Sequence, residues 1–142
     1  MTISDSLIEL RILLMTMCDG YSTQLSNKST PLTTRIKVLY LLQSNDASPS
    51  ELVEKLCIAK GNLANLLKEM INDGVVISYR NDQNSKNINY RATQKGITEL
   101  NEFKRTMLEG FSEKFDGDDN KLSKLLNEVI QLIKGENYGK DI

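Results

Sequence analysis

Apolar positions recur first at helical spacing, then at every second residue, then at helical spacing again. Ile3, Leu7, Leu10, Leu14, Met17, Cys18 and Tyr21 lie three or four residues apart, as on one helix face, and Ile12 and Leu13 widen the stripe. The polar stretch SNKSTP at 26–31 interrupts it. A second helix is predicted from about Thr33 to Ser44, with Ile36, Leu39, Tyr40 and Leu42 among its apolar positions. The next start is sharply marked. In Ser48-Pro49-Ser50-Glu51, serine can cap the first turn, proline suits the first helical position, and Glu51 can reach back to the Ser48 amide. That short helix runs through Leu52, Val53 and Leu56 and ends at a tight corner, Cys57-Ile58-Ala59.

After the corner, Leu63, Leu66, Leu67, Met70 and Ile71 form one apolar stripe. The opposite face carries Lys60, Gly61, Asn62, Ala64, Asn65 and Lys68, and Gly74 ends the helix as a left-handed residue commonly does. The period then shortens to two. Val75 to Arg80 and Ile88 to Thr93 are β-branched and aromatic runs around a polar tip, NDQNSKN, which is the signature of a β-hairpin. Thr93 is placed to cap a further helix with Ile97, Leu100, Phe103, Met107, Phe111 and Phe115. The DGDDN turn at 116–120 separates it from a last one with Leu122, Leu125, Leu126, Val129, Ile130 and Ile133.

Two short helices joined at a tight corner are a helix-turn-helix, whose second member can enter the major groove. A hairpin directly after it makes a wing. The predicted fold is mainly α with a small β-hairpin wing: a winged helix-turn-helix region at 33–96, with N- and C-terminal dimerisation helices at 1–32 and 97–142. The apolar faces of the terminal helices exceed what one small domain can bury, so a two-fold homodimer is expected. On the second helix, Gly61 and Ala64 would permit close approach to base edges. Asn62 and Asn65 suit adenine, while Lys60 or Lys68 can reach guanine or a phosphate. Arg80 either contacts a phosphate or anchors the wing through Asp82 or Asp73.

The segment ELVEKLCIAKGNLANLLKEMINDGVVISYR, followed by a polar tip and INYRATQKG, resembles the MarR family of bacterial transcriptional regulators. Glu51, Leu52, Leu56, Leu63, Leu67, Met70, Gly74, Val75, Val76, Arg80, Thr93 and Gly96 fit that family's pattern. The resemblance extends to the flanking helices and so spans nearly the whole chain. It implies a sequence-specific binder of double-stranded DNA, in the first instance a repressor, acting as a homodimer on a pseudo-palindromic operator and released by a small aromatic or anionic effector. It also places the wing-tip contact on Asn84, Ser85 and Lys86. The family's acidic residue and arginine are here Asn84 and Lys86, and Asn65 stands where many relatives carry a basic residue. Binding weaker than the family's, or tuned to another sequence, is the expectation. The implied effector pocket draws on Leu14, Cys18, Tyr21 and Tyr40, with the Phe103/Met107 region near it.

Composition narrows the alternatives. With 142 residues, 39% apolar and 26% charged, the chain is an ordinary globular one of about one domain. Its net charge is −1, yet residues 59–95 hold six basic against three acidic side chains, a local surplus suited to a nucleic-acid footprint. There is no histidine, and the two cysteines, Cys18 and Cys57, lie far apart. The commonest general base, the nucleophile pairs that need histidine and the usual transition-metal ligand are therefore missing. No catalytic, metal or cofactor site is expected, so the chain reads as a non-enzyme. No apolar run reaches membrane-spanning length and the start lacks a secretory signal's pattern, so a cytoplasmic location is expected. Two other readings remain open: a winged-helix protein-interaction adaptor without DNA binding, and a regulator that senses oxidants through Cys18.

Overall fold

The computed structural model describes residues 2–17, 32–82 and 86–135. The elements run α1 (Ile3–Met17), α2 (Thr34–Leu42), α3 (Pro49–Leu56), α4 (Lys60–Asn72), β1 (Val76–Arg80), β2 (Ile88–Ala92), α5 (Gln94–Lys114) and α6 (Asp119–Lys134). Thus the predicted order holds throughout. Boundaries differ by a residue or two because capping side chains and carbonyls set them. Thr33 lies outside α2 as its N-cap and accepts from the Ile36 N–H at 3.2 Å. Val75 and Thr93 fall just beyond the strands, joined by a bond from the Thr93 N–H to the Val75 carbonyl at 3.0 Å. The helix expected over the first 25 residues is described to Met17, and its continuation through Cys18 and Tyr21 lies outside the described residues.

The chain forms two compact units, Met1–Phe111 and Ser112–Ile142. In the first, the core is built from the apolar stripes of α2, α3 and α4 closed over by the base of the hairpin. Val38, Leu39, Leu52, Leu63, Met70, Val75, Val76 and Leu100 are at most 1% exposed. Removing a buried leucine side chain from such a core costs about 2–5 kcal/mol. The capping box forms as its residues dictate: Ser48 Oγ accepts from the Glu51 N–H at 3.3 Å, and the Ser48 N–H donates to Glu51 Oε1 at 3.3 Å.

The hairpin is antiparallel, with Val76 opposite Ala92, Ser78 opposite Tyr90 and Arg80 opposite Ile88. An isolated bridge extends the hairpin where Ala47 and Tyr90 exchange both backbone bonds, at 3.2 and 2.8 Å. This pins the turn between α2 and α3 to the wing. Two glycines make the junction with α5. Gly74 has φ +76°, a left-handed value that glycine adopts without a steric penalty. At Gly96 a Cβ would lie 2.3 Å from the Val75 carbonyl oxygen and 3.0 Å from Leu39, so only glycine lets α5 start against the core. Thr93 completes the joint: its Oγ1 donates to the Gly74 carbonyl at 2.6 Å and accepts from the Gly96 N–H at 3.2 Å.

In the second unit, Asp118 caps α6 by accepting from the N–H groups of Asn120 and Lys121, and left-handed Gly135 ends it. α6 has an apolar stripe but no buried residue; Leu125, Val129, Ile130, Leu132 and Ile133 are exposed. The same is true of α1, where Ile3, Leu7, Ile8 and Ile12 are 54–80% exposed. Among the described residues, no helix is long and apolar enough to cross a membrane.

Candidate nucleic-acid interface

The corner between α3 and α4 turns on Cys57, whose φ of 54° and ψ of 45° are left-handed. A side chain other than glycine pays for this conformation, and the corner is held by the bond from the Cys57 N–H to the Val53 carbonyl at 2.9 Å. Cys57 is itself exposed. Beyond it α4 buries Leu63, Leu67 and Met70, half-buries Leu66 and leaves Ile71 at the margin, 38% exposed. Lys60, Gly61, Asn62, Ala64, Asn65 and Lys68 are all exposed. At about 100° per residue, Gly61, Asn65 and Lys68 fall in an arc of about 60° directly opposite the buried stripe, with Asn62 and Ala64 flanking it. Five of the six predicted α4 contacts therefore share the solvent side of one helix, while Lys60, also exposed, stands at the N-terminal edge of the buried stripe, beside Leu67.

The wing contributes Arg80, exposed at the outer end of β1 opposite Ile88, and Lys86, exposed just before β2. Asn84 and Ser85 lie outside the described residues. Asp73, a candidate anchor for Arg80, is engaged elsewhere. Arg35 Nη1 donates to Asp73 Oδ2 at 2.6 Å, and its Nε and Nη2 donate to the Glu99 carboxylate at 2.7 and 2.9 Å. One guanidinium thus ties the start of α2 to the end of α4 and the second turn of α5. The Glu99 and Asp73 carboxylates raise its pKa above the usual arginine value, so its charge is permanent. Lys95 adds a bond from Nζ to the Asp73 carbonyl at 2.8 Å.

A second cluster fixes the wing. Arg91 on β2 grips Asp46, in the turn after α2, through Nε at 3.1 and 3.2 Å and Nη2 at 2.9 Å. The Tyr79 hydroxyl donates to the same carboxylate, and the Arg91 guanidinium stacks 4.9 Å from the Tyr79 ring centroid. The Arg91 bonds, then that of Tyr79, hold the Asp46 carboxyl below its ordinary pKa, while Asp46 pushes the Tyr79 phenol up. Neither cluster was foreseen from sequence. Their hydrogen-bonded side-chain partners stand 33 to 64 residues apart, outside any local motif.

Among α2, α3 and α5 lies an open cavity of about 350 Å³. Tyr40, Leu56, Phe103 and Met107 give it apolar walls, and Lys37, Lys55 and Lys104 stand around it. Of the predicted effector-pocket residues, Tyr40 lines this space, as does the Phe103/Met107 region beside it. Leu14 is 40% exposed on α1 and does not line it; Cys18 and Tyr21 lie outside the described residues. Among the described residues, no cluster of histidine, cysteine and acidic side chains could hold a metal ion.

These features define a winged helix-turn-helix with helical flanks. No protein-family model matches the chain, and no characterised relative matches its sequence. Solved structures do. MarR from E. coli in its apo form aligns over 91% of this chain and 96% of its own, with TM-score 0.65 and 16% identity. A second MarR structure, the multiple antibiotic resistance repressor, gives TM-score 0.67 over 91% and 95% at 16% identity. A double mutant of ZitR from Lactococcus lactis aligns over 96% and 98%, with TM-score 0.50 and 18% identity. The fold is that of the MarR-type winged-helix proteins.

Proposed function

We propose that this chain is a sequence-specific, DNA-binding transcriptional regulator of the MarR family, a repressor that acts as a homodimer. The observation that carries the reading is the face of α4. Six predicted contacts, Lys60 to Lys68, stand exposed on a helix whose back is locked into the core, and a β-hairpin projects from its end with Arg80 and Lys86 exposed. A helix presented in this way fits the major groove while the wing reaches the flanking backbone.

The division of labour follows the elements: residues 33–96 bind DNA, and residues 1–32 and 97–142 join the subunits. Supporting this, the apolar stripes of α1 and α6 are exposed in the single chain, and each leucine or isoleucine covered by a second copy contributes about 1.5–3 kcal/mol. Regulation enters through the cavity among α2, α3 and α5. The apolar walls suit a small aromatic molecule, with an anionic group at the mouth where Lys37 and Lys55 stand (Lys104 Nζ donates to Gln43 Oε1 at 2.9 Å), and Leu56 and Lys55 place α3, the helix that precedes the corner, against it. A ligand that fits the cavity in only one disposition of α3 would shift the population toward that disposition.

Fluorescence-anisotropy titration of duplex DNA over a range of salt concentrations tests the core of this reading. The logarithm of affinity should fall linearly with the logarithm of salt concentration, and K60A and K86A should each flatten the slope by about 0.9 if the lysine meets a phosphate. Salt-insensitive binding, slopes unchanged in both variants, or a monomeric mass in solution would overturn it.

A further inference from the structure

We infer that the operator half-site presents two neighbouring A·T pairs to α4, read directly by Asn62 and Asn65. This rests on the DNA-binding reading and deepens it. Both asparagines are exposed, three residues apart. That spacing advances about 4.5 Å along a helix and turns about 60° around it, which leaves the two amides as surface neighbours. The step is close to the roughly 3.4 Å between stacked base pairs, so the two can address adjacent pairs.

The chemistry selects the base. A carboxamide offers one donor and one acceptor side by side, the complement of adenine N6–H and N7 in the major groove. Guanine offers two acceptors there and is matched by the fork of an arginine, and α4 contains no arginine. Its cations are Lys60 and Lys68, which carry donors only: they suit a phosphate or guanine and offer no acceptor to adenine N6–H. The one acidic side chain on the helix, Glu69, is also exposed; being an acceptor only, it repels phosphate and does not compete for adenine. Gly61 and Ala64, both exposed on the Asn65 side of the pair, do not project beyond it.

The test is enrichment of a random duplex library by the full-length protein, the N62A variant and the N65A variant, followed by titration of the enriched duplex with adenine replaced by 7-deazaadenine at one position at a time. The expected result is an A·T dinucleotide in each half-site. N62A should relax one position and N65A the other, each weakening the selected duplex about 5- to 150-fold, the range for one bidentate pair. Removal of the N7 acceptor should cost about 10-fold at those positions alone. Thermal melting of both variants should match that of the parent protein, because both side chains are exposed. Enrichment of G·C at the positions that N62A and N65A relax, preferences unchanged in both variants, or indifference to 7-deazaadenine would overturn this inference while leaving DNA binding intact. No enrichment of any duplex would instead overturn the regulator reading beneath it.

Discussion

Replacing Gly61 by alanine separates what the fold needs from what a bound partner needs. A Cβ at this position meets no atom within 4 Å, and its backbone lies outside the left-handed region. Neither packing nor conformation therefore requires glycine. In a helix interior, alanine is favoured over glycine by about 0.8–1 kcal/mol, and one position inside the first turn about half of that is expected. For a chain of this size, about 0.5 kcal/mol raises the melting temperature by about 1–3 °C. DNA binding should move the other way. Gly61 is central to the exposed arc of α4, so an added methyl pushes the helix axis back from the base edges by about 1 Å. A hydrogen bond of about 2.9 Å does not survive such a displacement. Loss of one bidentate contact alone lowers affinity about 10-fold. The assay is a pair of measurements on one protein preparation: a melting curve and an anisotropy titration. A variant that melts higher and binds about 10-fold more weakly is the expected outcome. Unchanged affinity would refute the placement of α4 against base edges, and a lower melting temperature would refute the clearance around Gly61.

Three further outcomes follow from the same structure. Gly96→Ala would place a Cβ about 2.3 Å from the Val75 oxygen, and overpacking together with the lost Thr93 bonds should destabilise the chain by about 2–4 kcal/mol; a change below about 1 kcal/mol in a denaturant melt would contradict the packing. Asp46→Asn should loosen the wing at neutral pH, seen as faster amide exchange in β2. Because the folded-state pKa of Asp46 is depressed, mainly by Arg91, the parent's advantage is present in full above the usual aspartate pKa of about 4. It is lost as pH falls through the lower folded value, so an advantage of the parent that grew on acidification would contradict the assignment. Met107→Trp should fill the α2–α3–α5 cavity and abolish the response of operator affinity to an aromatic anion without altering basal affinity; an undiminished response would place the effector elsewhere.

The winged helix-turn-helix was legible because its signals are local. Ser48 with Glu51, the stripe from Leu63 to Met70, Gly74, and Thr93 with Gly96 each act within a few residues of themselves. The exposed set on α4 followed from the stripe by elimination. What sequence could not reveal are contacts whose partners are brought together only by folding. Arg35 reads as a surface cation of α2 until Glu99 and Asp73 arrive from 64 and 38 residues away. Asp46 reads as a turn residue until Tyr79 and Arg91 close on it. Cys57 shows a different limit. Its left-handed backbone is dictated by the corner and not by residue type, so no glycine announced the turn's geometry. The apolar faces of α1 and α6 were readable as stripes, but only the structure reveals that the single chain leaves them exposed.

The most direct test of the central claim is a pull-down of genomic fragments by the purified protein, with sequencing of what is retained. A winged-helix dimer predicts enrichment of a pseudo-palindrome whose half-sites lie about 10–10.5 base pairs apart, centre to centre. Retained fragments with no common sequence, or a single unrepeated half-site, would contradict it.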